Sequence, residues 1–317
     1  MTTSASVDFS VSRDNLIGLA YQQVGLVGEG ETPSSAMVTE AALLLNMLVK
    51  ARMADGMPLW AIKRGYLLPF PKASSLGLGG AIQAVTGYVT TTTSAAAAAG
   101  DSTIVVTSAT GISTTYAIGV WQTDNTMHYT TVNGAPSGTT VTLTAVLPVG
   151  CAIGARVYVY VTTARINRPL RIIQSNVTNV QSNNSRPMRV IAMQDYNNLP
   201  NRAAESSPNQ YAYDPQLATG DYYIYPRMLN QDEIIEIIFH RPFEDFDASG
   251  DTPDFPQEHY LAFMLELAAL LGPKAGIPPE ERKALREEAA YYHDLALSNG
   301  TPEESIKFQF DVLSGSK

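Results

Sequence analysis

The sequence predicts an α+β protein: a helical bundle built from N- and C-terminal helices, with a β-rich middle that includes an inserted small β sandwich or barrel. Three observations carry this expectation. Apolar residues recur at helical spacing near both ends, at Leu16, Leu19, Ala20 and Val24 and again between Tyr260 and Leu271. From Thr90 to Thr163 the composition turns to Thr, Val, Ala and Gly with few charges, in short β-branched runs separated by Gly- and Asn-containing turns. From 164 to 250 the runs stay strand-like but become richer in Asn, Arg and Tyr. The expected parts are a helical hairpin at 12–66, the β module at 94–163, a β-rich segment at 164–250, C-terminal helices at 251–299 and an extended arm at 300–317.

Ser12 or Asp14 suits the cap of the first helix, and Gly25 its stop. Thr32-Pro33 reads as a cap followed by the proline favoured at a first helical position. Met37, Ala41, Leu44, Leu45, Leu48 and Ala51 then mark an apolar face, which Gly56 and Pro58 end. Gly77-Leu-Gly-Gly80 lacks the third glycine of a dinucleotide fingerprint, and no Gly-Lys-Ser/Thr follows it, so a structural loop is expected.

In the module, strands are expected at Thr103–Thr107, Ile118–Gln122, Met127–Val132, Thr139–Thr144 and Arg156–Tyr160. Turns fall at Gly100-Asp101, Asp124-Asn125, Asn133-Gly134 and Ser137-Gly138. Further on, Tyr222–Pro226 resembles one arm of a hairpin with Ile234–His240 as the other, and the apolar density of the second arm implies burial on both faces.

From Tyr260 to Leu271 only Glu266 is charged, so this helix needs partners on several sides. It is too short for a membrane span of about 20 apolar residues. The preceding acidic stretch Glu244–Asp254 matches early positions of a calcium loop through Asp245, Asp247, Ser249 and Gly250. Its twelfth position is Pro256 where a bidentate Glu is required, so an acidic turn capping the following helix is expected instead. A last amphipathic helix from Pro279 presents Leu285, Ala289, Tyr292, Leu295 and Ala296, and Gly300 closes it. Phe308, Phe310 and Val312 then alternate through a tail that needs another surface to cover them.

The 317 residues are 45% hydrophobic, enough for a sizeable core. A net charge of -9 opposes binding to the outside of nucleic acid, where affinity comes from Lys and Arg on phosphates. Surrounding DNA without gripping it remains open. The single cysteine, Cys151, excludes an intrachain disulfide and a thiolate zinc site, and the N-terminus lacks the features of a signal peptide, so synthesis in the cytoplasm is expected. His128, His240, His259 and His293 show no metal-ligand spacing, and no Gly-x-Ser-x-Gly elbow is present. Crowded acids in one turn give poor separation of carboxylate pKa values for glycoside cleavage. Tyr211, Tyr213, Tyr222, Tyr223 and Tyr225 lack neighbouring Lys or Arg and suit strand packing or a protein interface. No enzyme and no cofactor is expected.

The order of parts and three strings, Tyr222-Tyr-Ile-Tyr-Pro226, Arg241-Pro-Phe-Glu-Asp-Phe246 and Asp251–Tyr260, resemble the head-to-tail adaptor of short-tailed bacteriophages. The resemblance continues through Leu267–Pro278 and into Glu304-Ser305. It implies a structural virion protein at the head-tail junction, assembled in host cytoplasm, with helices from both chain ends in one bundle. It also implies a homo-oligomeric ring, a dodecamer, beneath the portal protein, with the tail nozzle or hub below and DNA passing through the lumen. By the same resemblance Phe308, Phe310 and Val312 contact the portal. Tyr260, Phe263, Met264 and Leu267 are the expected subunit interface, since a helix in a ring can face both its bundle and a neighbour. The long β insertion departs from the family. An alternative reading makes the chain a receptor- or carbohydrate-binding tail protein through Trp121 and Tyr129 of that module. A third, cell-wall hydrolase, has no catalytic constellation to support it.

Overall fold

A computed structural model describes residues 9–55 and 61–298. The fold is mixed α+β, with β structure filling the middle of the chain. It divides into two compact units, one drawn from residues 1–61 and 243–317 and the other from Ile62–Pro242. The helices described are α1 (Arg13–Gln23), α2 (Ser35–Asp55), α3 (Met193–Asn197), α4 (Tyr260–Leu271) and α5 (Pro279–Ser298). All but the short α3 belong to the first unit.

Helix α1 starts at Ser12, whose Oγ accepts from the Asn15 amide at 3.3 Å, and stops at Gly25 with φ 70°. It buries Leu16, Ile17, Ala20 and Tyr21, while Leu19, expected inside, is half-exposed. Helix α2 is capped later than Thr32-Pro33 suggests: Ser34 Oγ accepts from the Met37 amide at 3.4 Å. Its buried line is Ala41, Ala42, Leu45, Val49 and Met53, and Leu43 and Met47 face outward. The expected face was rotated because Leu43-Leu44-Leu45 and Met47-Leu48-Val49 are apolar at successive positions, so spacing alone leaves the phase open.

Helix α4 packs against α1, α2 and α5, which accounts for its apolar circumference. Helix α5 turns Ala289 and Ala296 inward, whereas Leu295 is half-exposed. Among the described residues no helix is long and apolar enough to cross a membrane. The expected stops at Gly56, Pro58 and Gly300, and the whole C-terminal arm, lie outside the described residues.

The second unit is β throughout apart from α3. Its strands open with β1 (Ile62–Leu67), β2 (Ser75–Leu78), β3 (Ala84–Val85), β4 (Val89–Thr92) and β5 (Thr103–Val105). Next come β6 (Ala117–Trp121), β7 (Met127–Thr131), β8 (Thr140–Thr142), β9 (Arg156–Tyr160) and β10 (Arg171–Asn179). Last are β11 (Asn184–Pro187), β12 (Arg189–Val190), β13 (Gln210–Pro215), β14 (Gly220–Tyr225) and β15 (Glu233–His240). Sheets β11-β10-β15-β1-β3 and β12-β13-β14-β2 enclose one core, with Leu67, Tyr222, Ile224, Ile235, Ile237 and Phe239 in it.

Strand β14 pairs with β13 and β2, not with β15 as the hairpin expectation had it. Burial explains the difference. In β14 buried and half-buried residues alternate, which fits a sheet packed on one face, whereas β15 is the middle strand of the other sheet. Its expected burial on both faces is present: Ile235, Ile237 and Phe239 point into the two-sheet core and Ile234 into a separate cluster behind it.

The module contains sheet β4-β9-β6-β7 and ribbon β5-β8, around Ile104, Ile118, Val120, Val141, Val157 and Val159. Single bridges, Thr93 to Val106 and Val132 to Leu143, carry the chain from one to the other. Strand β4 lies ahead of the module boundary expected near Ser94 yet pairs with β9 along its length. The turn at Asn133-Gly134 uses φ 83° at Gly134, a conformation that glycine adopts without strain.

Candidate functional site

Two features stand out when the fold is read for what it can do: the corner where the chain re-enters the helical unit, and the seam that holds the β module.

The corner is the acidic stretch. Asp251 Oδ2 accepts from the amides of Asp247 and Ala248 at 2.8 and 2.7 Å, and Asp254 Oδ2 accepts from the Glu244 amide at 3.0 Å. The turn does not cap α4, whose first turn has no side-chain cap. It caps α1 instead: the amides of Arg13 and Asp14 donate to the carbonyls of Asp251 and Ser249 at 2.8 and 3.4 Å. With Ser12 on the Asn15 amide, three of the four N–H groups that a helix start leaves without partners are satisfied. Arg13 Nη1 also donates to the Asp247 carbonyl at 3.2 Å.

Helix α2 grips the same stretch from its side. Asn46 accepts from the Phe246 amide at 2.9 Å and donates to the Phe246 carbonyl at 3.3 Å. Lys50 donates to the Phe243 carbonyl at 2.6 Å and pairs with Asp245 at 2.7 Å. Buried Phe246 meets Phe255 edge-on, and Phe255 packs against Phe263 of α4 at 4.3 Å between ring centroids. The string Arg241–Tyr260 is thus built into the helical unit by both main chain and aromatic packing from Phe243 onward.

Glu266, the one charge of α4, is buried and pairs with Arg52 of α2, Nε to Oε2 at 3.1 Å. His259 is buried just before α4, with its ring 5.3 Å from that of His293. Burial first, then His293, lowers its pKa from 6.5 to about 4. His240 is also held down, by burial and then by Arg171. Among the described residues no group of three or more His, Cys, Asp or Glu could hold a metal ion.

Of the expected interface residues, Phe263 and Leu267 are 3% and 0% exposed, which commits them to the chain's own core. Tyr260 and Met264 are partly buried. What α4 leaves outside is Leu261 and Leu270. Phe308, Phe310 and Val312 lie outside the described residues.

The seam follows from the Val/Tyr alternation in Arg156-Val-Tyr-Val-Tyr160. Val157 and Val159 enter the module core, while Tyr158 and Tyr160 face the opposite way into a cluster with Leu68, Val85, Ala117 and Ile234. Tyr158 donates to the Gln231 carbonyl at 2.7 Å, Tyr129 to the Pro69 carbonyl at 2.8 Å, and Tyr160 to the Ile82 carbonyl. Burial pushes the phenol of Tyr160 up to about 12 and holds those of Tyr158 and Tyr129 well above the ordinary value, so all three remain donors. At one end Arg156 pairs with Asp232, Nε to Oδ1 at 2.7 Å. The module is therefore docked on the neighbouring five-stranded sheet, face to face.

Sequence reading did not anticipate Asn46, Lys50 or this seam. The seam had a signal, since a strand apolar at both phases of its alternation has two faces to bury. Of the tyrosines singled out from sequence, Tyr211 stacks on Tyr222 at 5.4 Å, and Tyr222 shares a 2.6 Å hydrogen bond with Ser175. No protein-family model matches this chain, and no curated protein matches it either.

Proposed function

We propose that this chain is the structural head-to-tail adaptor of a short-tailed bacteriophage. It is a non-enzymatic subunit that assembles as a ring, a dodecamer in the family it resembles, beneath the portal. The ring joins the capsid vertex to the tail nozzle and leaves a lumen for DNA. The observation that carries the reading is the position of the family-like string. From Phe243 to Tyr260 its carbonyls cap α1, its main chain is gripped by α2, and its aromatic residues pack on α4. We read these contacts, with α4 between α1, α2 and α5, as the bundle of terminal helices that the resemblance implies.

The charge of -9 suits a wall past which DNA slides without adhering. The arm with Phe308, Phe310 and Val312 is assigned to the portal. The receptor-binding alternative is less favoured, because its two aromatic residues are engaged internally: Trp121 in the module core and Tyr129 in the seam. Particles carrying the adaptor belong to the virion, after assembly in host cytoplasm.

The test mixes the purified chain with the portal protein of the same genome and images the product by negative stain alongside native mass measurement. A ring seated on the portal is expected, and truncation after Ser298 should abolish seating while the helices stay folded. A chain that remains monomeric and never binds the portal refutes the proposal.

A further inference from the structure

The turn that leaves β7 contains Asn133 followed by Gly134, and both residues are exposed. Among the described residues this is the only asparagine that precedes a glycine; a second such pair, Asn299-Gly300, lies outside them. The chemistry of the pair is specific. The amide nitrogen that follows an asparagine can attack that residue's own carboxamide carbon and close a small ring, and a side chain on the following residue obstructs the approach. Glycine has no Cβ to obstruct it and permits the widest range of backbone angles.

The fold leaves both reacting groups free. The Asn133 amide donates to the Thr142 carbonyl at 2.8 Å, but among the described residues neither its carboxamide nor the Gly134 amide has a hydrogen-bond partner. Other asparagines are held. Asn46 is fixed on Phe246, and the side-chain oxygens of Asn179, Asn201 and Asn230 accept from the amides of Gln181, Ala203 and Asp232. At Gly134 φ is 83° and nothing lies within 4 Å of where a Cβ would stand, so the backbone there has room to move.

We infer that Asn133 is a site of spontaneous deamidation, at which the folded chain is converted to aspartate and isoaspartate by water alone. Base removes the proton of the Gly134 amide, and the nitrogen's electron pair attacks Cγ of Asn133. The Cγ–Nδ2 bond breaks, and the carboxamide nitrogen leaves as ammonia. The product is a cyclic imide that joins the two residues. Water then adds to one of its carbonyls. Opening at Cγ gives aspartate with the main chain unchanged, and opening at the α-carbonyl routes the main chain through Cβ and Cγ as isoaspartate. No oxidant or cofactor enters the balance.

Position gives the reaction its consequence. No acidic residue lies between Asp124 and Asp195, so either product brings a first carboxylate into that stretch. Isoaspartate also lengthens the main chain by one atom directly after the hydrogen bond from Asn133 to Thr142, where the chain leaves the edge of β8. The reaction requires only the turn and water, and is independent of the ring reading above.

The experiment holds the full chain under warm, mildly alkaline conditions and samples it by isoelectric focusing, by digestion with mass mapping, and by methyl labelling with an isoaspartyl methyltransferase. A more acidic species should accumulate, with ammonia loss and methyl label in the peptide carrying Asn133. Its initial rate should rise about tenfold per pH unit, as the deprotonated fraction of a weakly acidic amide does below its pKa.

Asn133→Ser should abolish the change at this site, and Gly134→Ala should slow it, with urea titration of the fresh proteins showing that both variants fold. Asn299→Ser should leave the rate at Asn133 unchanged. Label confined to Asn299, or conversion of Asn133 only after unfolding in urea, overturns the inference. So does a folded Gly134→Ala chain that reacts at Asn133 as fast as the parent.

Discussion

Replacing Asp232 by Ala tests whether the β module is a docked, rigid part of its unit. Asp232 Oδ1 receives Nε and Nη2 of Arg156 at 2.7 and 2.6 Å, with the two side chains 16% and 13% exposed. The substitution leaves a guanidinium in a site nearly closed to water. Breaking a fully buried pair costs about 3–5 kcal/mol and an exposed one about 0–1 kcal/mol. The residual exposure here places the cost at about 2–3 kcal/mol by interpolation between those limits.

For a unit of this size each kcal/mol lowers the melting temperature by about 2–4 °C, so a loss of roughly 4–12 °C is expected. Thermal unfolding followed by tryptophan fluorescence reads it, because Trp121 sits inside the module core. The companion Arg156→Met with Asp232→Leu removes both charges and should recover all but about 1 kcal/mol of the loss. A shift below about 1 °C in the single variant, or a double variant no more stable than it, refutes the reasoning.

Gly65→Ala in β1 would bring a Cβ within 2.3 Å of Ile166 Cδ1 and 3.0 Å of Phe239 Cε1. Forced repacking should lower stability by about 1–3 kcal/mol in urea titration. Asn46→Ala removes both hydrogen bonds to Phe246 and should cost about 1–2 kcal/mol, while Asn46→Asp, which cannot donate and adds charge beside Asp245, should cost more in the same titration. His259 is held down to about 4 in the fold against 6.5 when free, so the unfolded chain takes the proton first. Stability is then full above pH 6.5 and falls between 6.5 and 4, by up to roughly 3 kcal/mol, and His259→Phe should flatten that slope in urea titrations at successive pH values.

Much of the fold was legible where one local rule acts alone. Ser12 and Gly25 bracket α1 because a cap needs only a side-chain oxygen and a stop only a residue tolerant of positive φ. All five expected module strands appear, since β-branched runs between Gly and Asn turns leave few other conformations. Legibility failed where the choice belongs to a partner. The buried phase of α2 is set by α4, and Leu19 and Leu295 face out although their spacing allows burial. Strand β15 pairs with β1 and β10 because a strand buried on both faces needs neighbours on both edges, which no hairpin rule contains. At the corner, Asn46 and Phe246 meet across 200 residues of sequence, a separation that no local pattern can register.

The acidic turn shows how the same residues can satisfy a motif and serve another end. A calcium loop requires its carboxylates to converge on one point with lone pairs free. Here Asp251 already accepts two amides through Oδ2, Asp254 accepts one, and Asp245 is paired with Lys50, so these acids are directed to main chain and to α2. What the turn offers its neighbours is chiefly backbone: the carbonyls of Phe243, Phe246, Asp247, Ser249 and Asp251 receive Lys50, Asn46, Arg13 and the start of α1. Acidity is what lets the corner do this. Carboxylates that fold the turn on its own amides leave those carbonyls pointing outward, and a helix N-terminus, with its partial positive charge, is the natural group to receive them.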